Sequence, residues 1–191
     1  LLVSAVEHPS VMTTALALGA TIIPVDQNGV VQPDSLAELL EAEGKDQSVL
    51  VSVMAANNET GVLQPIQELA DIAHQYGALM HTDAVQVAGK IPFDMKVLNV
   101  DLATISAHKT CGPAGTGALI TSVQVGKMQG IQTGGGQEKG LRPGTENLAG
   151  IAGFGVAAEL AADDLARTDE IEALRDSLER QISDFALDVR I

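Results

Sequence analysis

Leu79-Met-His-Thr-Asp-Ala-Val-Gln86 and Val100-Asp-Leu-Ala-Thr-Ile-Ser-Ala-His-Lys109 decide the reading of this chain. Each begins as a short, mainly apolar run of strand length and ends in residues that carry chemistry: Asp83 and Gln86 in the first, Ser106, His108 and Lys109 in the second. The spacing predicts strands over Leu79–Asp83 and Leu102–Ala107. A glycine turn, Gly112-Pro-Ala-Gly-Thr-Gly117, then leads into a third strand over Gly117–Thr121.

Outward from this centre the same alternation continues. Leu2–Val6 reads as a strand, followed by a helix over Ser10–Leu18 that Gly19 stops. Thr21–Val25 is the next strand, with Gln27-Asn28-Gly29 as a tight turn. Pro33 opens a helix that Gly44 closes, with Leu36, Leu39 and Leu40 on its buried stripe. Val49–Met54 is an apolar strand running into Asn57-Asn-Glu-Thr-Gly61. Pro65 to Gly77 forms a helix with Ile66, Leu69, Ala70, Ala73 and Tyr76 inward. Short connections between strands and helices imply an α/β fold: a mostly parallel sheet with right-handed crossovers and helices on both faces. Ligands of such sheets bind at the carboxyl ends of the strands, and Asn58, Asp83 and Ser106 to Lys109 all fall there. The last third differs. Gly134-Gly-Gly136 begins a loop through Arg142-Pro-Gly-Thr145, the chain is helical from Asn147, and Ile171, Leu174, Leu178, Ile182 and Phe185 mark an amphipathic helix.

Composition sets bounds. The 191 residues are enough for one domain with a sizeable core, and no second domain is evident. With 46% hydrophobic but only 2% aromatic residues, that core must be aliphatic. The net charge of -14 argues against a partner bound through a phosphate backbone, DNA or RNA. A single cysteine rules out a disulfide framework and points to a reducing, cytoplasmic compartment. No apolar stretch has the length to span a bilayer. Leu1 opens inside a strand and Ile191 ends without a tail, so a piece of a longer enzyme is expected.

The chemistry of the central stretches fits pyridoxal 5'-phosphate. That cofactor needs an amine to hold its aldehyde as a Schiff base and a carboxylate to keep its ring nitrogen protonated. Lys109 supplies the amine and Asp83 the carboxylate. Gln86 can donate to the ring hydroxyl, while Ser106 and His108 can serve the phosphate.

On these residues the chain resembles the class V aminotransferase group of fold-type I pyridoxal phosphate enzymes, and within it the cysteine desulfurases of the NifS and IscS kind. The resemblance rests on Glu7-His8, Asn57-Asn-Glu-Thr-Gly61, Thr82-Asp-Ala-Val-Gln86, Ser106-Ala-His-Lys109 with Gly112-Pro, and Gly134-Gly-Gly-Gln-Glu-Lys-Gly-Leu-Arg-Pro-Gly-Thr-Glu-Asn147. It implies that residues 1–191 are part of a large cofactor-binding domain, lacking its amino-terminal part and a carboxyl-terminal small domain. It further implies that His8 stacks on the cofactor ring and assists proton transfer. Asn58 would lie against the cofactor and the substrate carboxylate, and Thr145 would reach the phosphate of the neighbouring subunit in a homodimer. The implied reaction converts L-cysteine to L-alanine and passes a persulfide to an iron–sulfur scaffold or thiolation partner. The family's nucleophilic cysteine would lie beyond Ile191, so Cys111 is not that nucleophile and the chain alone is expected not to turn over cysteine. Cys111 and Ala114 stand where the family often has an aromatic and a basic residue.

Plainer readings stand beside these. Lys109 can be solvated surface, His8 can cap its helix, Thr145 can cap the helix that follows it, and Cys111 can pack as a small hydrophobe. Asn57 and Asn58 can merely stabilise a turn. His81, Asp83 and His108 lack metal-ligand spacing, and no metal is expected. A selenocysteine lyase or class V aminotransferase of the same fold, or a non-catalytic scaffold subunit, are the alternatives.

Overall fold

The computed structural model describes residues 1–43 and 48–185. Its elements run β1 (Leu2–Ser4), α1 (Pro9–Ala17), β2 (Thr21–Ile23), α2 (Pro33–Glu43), β3 (Leu50–Ser52), α3 (Ile66–Gln75), β4 (Leu79–Asp83), β5 (Leu102–Ser106), β6 (Gly117–Thr121), α4 (Leu148–Asp164) and α5 (Thr168–Phe185). The expected helix stop at Gly44, and the chain end at Ile191, lie outside the described residues.

The six strands form one sheet in the order β2-β1-β3-β4-β5-β6. All pairs are parallel except the last, where β6 returns antiparallel along β5. β1 and β3 are shorter than their apolar runs because pairing ends at Ser4 and Ser52. Val25 leaves β2 for an isolated bridge to Val31. The chain goes from β1 to β2 on one side and then crosses back to β3 on the other. That reversal makes the β1–β3 boundary a topological switch point, where a crevice opens at the strand ends.

The reversal also distributes the helices. α2 and α3 pack together over one face, burying Leu36, Leu40, Ile66 and Leu69 against Leu2, Val51 and Met80. On the other face α1 borders an apolar cavity of about 320 Å³ lined by Val11, Ala15, Leu50, His81, Leu102 and Leu119. Helices therefore lie on both faces, as the strand–helix alternation predicts. Within α3, Glu68 in the first turn and His74 in the last complement the helix dipole. Gly77 follows at φ +75°, a left-handed conformation in which a side chain would be strained. α4 is capped by Asn147, whose side chain accepts from the Gly150 amide at 3.1 Å. Thr145 is therefore not that helix's cap. In α5 the apolar stripe is present but exposed: Leu174 is 73% and Phe185 90% accessible. Periodicity shows which side of a helix is apolar; it does not supply something to cover it.

The sheet edge opposite the site is fastened by Asp101, which is 2% exposed. Its Oδ2 accepts from the Met80 amide and pairs with His74 Nε2, both at 2.8 Å, and Ser122 Oγ reaches Oδ1 at 3.4 Å. One carboxylate thus joins α3, β4, β5 and the end of β6. Asp101→Ala should cost about 3 kcal/mol, because it leaves a buried amide without an acceptor. Urea denaturation measures this, with Asp101→Asn expected to lose less.

Candidate active site

β4 and β5 lie side by side with Asp83 opposite Thr104, so the residues ending both strands emerge at one sheet edge. Asp83 is buried, at 7% exposure, and its Oδ1 accepts from the Val85 amide at 2.9 Å. No hydrogen bond to its Oδ2 is found among the described residues, which leaves that oxygen for a cationic partner. Three residues on, Gln86 meets Lys90: the ammonium donates to Gln86 Oε1 at 2.9 Å. An ammonium has only donors, so the amide oxygen must face Lys90 and the amide NH2 faces away. The Lys90 pKa is lowered, first by burial and then by the positive charge of Lys109. Gln86 and Lys90 are thus in direct contact, and the charge of Lys109 acts on Lys90 from the end of the next strand. Sequence reading missed Lys90; its signal was the i, i+4 spacing from Gln86.

Lys109 lies on a 3-10 turn over Ala107–Thr110, directly after β5. Thr110 Oγ1 donates to the Ala107 carbonyl at 3.0 Å and the Gly112 amide to the same oxygen at 2.8 Å. A Cβ on Gly112 would stand 3.0 Å from that carbonyl and 3.1 Å from the Ala157 Cβ of α4, so the turn is packed too closely for a larger residue. Ser106 Oγ and His108 Nδ1 are 2.9 Å apart, a hydroxyl–imidazole pair at the strand end. Lys109 and His108 are exposed, whereas Asp83 on the neighbouring strand is buried. Cys111 is exposed and adopts a left-handed φ of 61°, so the expectation that it packs as a small hydrophobe is not met.

His8 and Asn58 come from loops on either side of the switch point. His8 is the N-cap of α1, its Nδ1 accepting from the Ser10 amide at 3.2 Å. The capping role is real, and it leaves Nε2 and the ring face available. Asn58 is exposed in a turn organised by its neighbour Asn57. Asn57 Oδ1 accepts from the Glu59 and Thr60 amides, each at 2.9 Å, and Asn57 Nδ2 donates to the Val6 carbonyl at 3.0 Å. Asn57 therefore ties the His8 loop to the β3 loop, a role its turn chemistry alone does not reveal. Thr145 is exposed; its carbonyl accepts from Arg142 at 3.4 Å, and its side chain bonds none of the other candidate residues among those described.

His81 faces the cavity side of the sheet, with Nδ1 2.8 Å from Ser52 Oγ. Burial pushes its pKa down, opposed by the negative charge of Asp83. Its ring nitrogen is engaged by Ser52, while that of His108 is engaged by Ser106.

The donor set suits a pyridoxal phosphate. An amine, a buried carboxylate with a free oxygen, an oriented amide NH2 and a hydroxyl–imidazole pair all stand on adjacent strand ends. Lys109, Asp83, Gln86, and Ser106 with His108 would hold its aldehyde, ring nitrogen, ring oxygen and phosphate respectively.

Comparison with known proteins agrees with this chemistry. The aminotransferase class-V family model matches residues 1–187. Cysteine desulfurase IscS of Dictyoglomus turgidum is 43% identical over 98% of this chain and 49% of its own length. IscS of Methanosarcina thermophila is 41% identical over 93% of this chain and 44% of its own. Among solved structures, a NifS-like protein from Rickettsia africae superposes with a TM-score of 0.90 at 40% identity, covering 96% of this chain and 51% of that one. SspA in complex with cysteine gives a TM-score of 0.73 at 32% identity, over 83% and 46% respectively. The chain spans about half the length of the curated relatives it matches. Matched over nearly its whole length, the chain belongs to the aminotransferase class-V family.

Proposed function

We propose that this chain belongs to a pyridoxal phosphate-dependent cysteine desulfurase, of which residues 1–191 form part of the large cofactor-binding domain. The observation that carries the reading is the placement of Asp83 and the Lys109 turn at the adjacent carboxyl ends of β4 and β5. Relatives named cysteine desulfurase, at 41–43% identity over more than nine-tenths of the chain, support it.

In this reading the substrate is L-cysteine. The bound cofactor serves as an electron sink for the substrate's carbon skeleton. Lys109 holds the cofactor aldehyde and then moves protons at the substrate carbon, and His8 stacks on the ring and assists. Asp83 keeps positive charge on the ring nitrogen, Gln86 donates to the ring oxygen, and Ser106 and His108 take the phosphate. Asn58 lies against the substrate carboxylate, and Thr145 reaches the phosphate of a second subunit in a homodimer. An enzyme thiol takes the substrate sulfur, so that cysteine plus thiol becomes alanine plus persulfide. The persulfide sulfur then passes to an iron–sulfur scaffold or thiolation protein in the cytoplasm. Among the described residues, no helix is long and apolar enough to cross a membrane.

The test is uptake of pyridoxal phosphate by the purified chain, followed by borohydride reduction and peptide mapping. The label is expected on Lys109, and L-cysteine is expected to change the absorbance of the loaded protein more than other amino acids do. No uptake would favour a non-catalytic scaffold. A preference for selenocysteine, or transfer of an amino group to an oxo acid, would move the chain to another activity of the same fold.

A further inference from the structure

Among the described residues, Glu7 is the buried charged residue that the chemistry above leaves without a task. It is only 8% exposed and sits between β1 and His8, at the switch point of the sheet. Ser4 Oγ donates to its Oε1 at 2.6 Å, and the Met54 amide, just past β3, donates to the same oxygen at 2.5 Å. Its Oε2 is buried with no hydrogen-bond partner among the described residues. One peptide further on, the Ala55 amide donates to the Asp83 carbonyl at 2.9 Å. A continuous path thus runs from the residue before His8, through the end of β3, to the carboxylate ending β4. A buried carboxyl with an orphaned oxygen is costly to keep unless its position does something.

We propose that Glu7 is a positioning residue of the cofactor site: by bridging the ends of β1 and β3 it holds His8 in register with Asp83. This rests on the reading that the site takes pyridoxal phosphate. Glu7 acts through its neighbours and touches no reacting atom.

Its proton content gives the role a signature. Burial pushes the Glu7 carboxyl up to about 7, against the pull of the Ser4 and Met54 hydrogen bonds, with the negative charge of Asp83 adding to the rise. Those groups face it from β1, from the end of β3 and from β4; His81, also on β4, bonds Ser52 and feels the charge of Asp83. Below that value Glu7 is neutral; above it, a second negative charge stands beside Asp83. A cationic ring nitrogen placed on Asp83 favours the ionised form, so binding should release the Glu7 proton and become tighter as pH rises through 7.

The experiment titrates wild type, Glu7→Gln and Glu7→Ala with pyridoxal phosphate from pH 6 to 8, following cofactor absorbance. Glutamine keeps an oxygen for Ser4 and Met54 but cannot ionise. The ratio of wild-type to Glu7→Gln affinity is expected to rise about threefold to tenfold across this range. Glu7→Ala, which leaves the His8 loop tied to the end of β3 only through Asn57 and Val6, should weaken binding about tenfold at pH 7. In the cofactor-free protein, Glu7 stabilises fully below its unfolded value of 4.5, and that contribution is lost as pH rises through 7. The fall in melting temperature over that window should vanish in Glu7→Gln. A folded Glu7→Ala that binds cofactor as tightly as wild type overturns the proposal, and so does an affinity ratio that stays constant with pH, which is readable even if Glu7→Ala does not fold. If wild type takes up no cofactor, both this inference and the proposed function fail; if it loads normally with a constant ratio, only the inference does.

Discussion

Lys109→Ala is expected to lose more than nine-tenths of the pyridoxal phosphate that borohydride fixes to the wild-type chain. The amine is the one group here that can bond the aldehyde covalently from the end of β5, on a turn held by the Ala107 carbonyl and packed under α4. Lys90 is the nearest rival, since burial already lowers its pKa and so raises its share of free amine. It is nevertheless held away by its hydrogen bond to Gln86. With the Lys109 charge gone, the second cause of the lowering also lapses, and Lys90 becomes a poorer nucleophile than before. Peptide mapping of the reduced variant checks this directly. Any remaining label should lie on Lys90, and a wild-type yield of fixed cofactor would show that Lys109 is not the attachment point. Because Lys109 is exposed, its loss should leave stability within about 0.5 kcal/mol of wild type.

Removing the carboxylate at 83 has the second large effect. A charge-assisted hydrogen bond contributes about 1.5–3 kcal/mol, so Asp83→Ala should weaken pyridoxal phosphate binding by about 10- to 150-fold. Asp83→Asn separates charge from shape. It can still accept from the Val85 amide, so its melting should stay near wild type, yet it cannot hold positive charge on a ring nitrogen and should bind about as weakly as alanine. Two further groups report the loss. Asp83 raises the pKa of both His81 and Glu7, and each should titrate lower in the variants, which NMR can follow. Full cofactor affinity in Asp83→Asn would remove this residue from the site.

Several elements follow from local pattern. β4 and β6 occupy the expected Leu79–Asp83 and Gly117–Thr121, since apolar runs bounded by glycine and polar turns need no distant information to be read. α1, α2 and α3 begin near Pro9, Pro33 and Pro65, because proline at a first turn and glycine after a last turn act within a few residues. The amine, the carboxylate and their places at strand ends were equally apparent, being side-chain chemistry attached to short motifs.

Long-range contacts had to decide the rest. The shortening of β1 and β3 depends on where neighbouring strands stop pairing. The Glu7 bridge joins residues 47 apart, and the Asn57 link to Val6 spans 51, distances over which no periodicity carries information. Lys90 gains its meaning only once Gln86 and Lys109 converge on it. Residue type and spacing thus established the α/β alternation and the chemical groups on offer, because propensity and amphipathicity act locally. The sheet order, the switch point and the burial of Glu7 belong to the folded chain, where pairing and desolvation couple segments far apart in sequence.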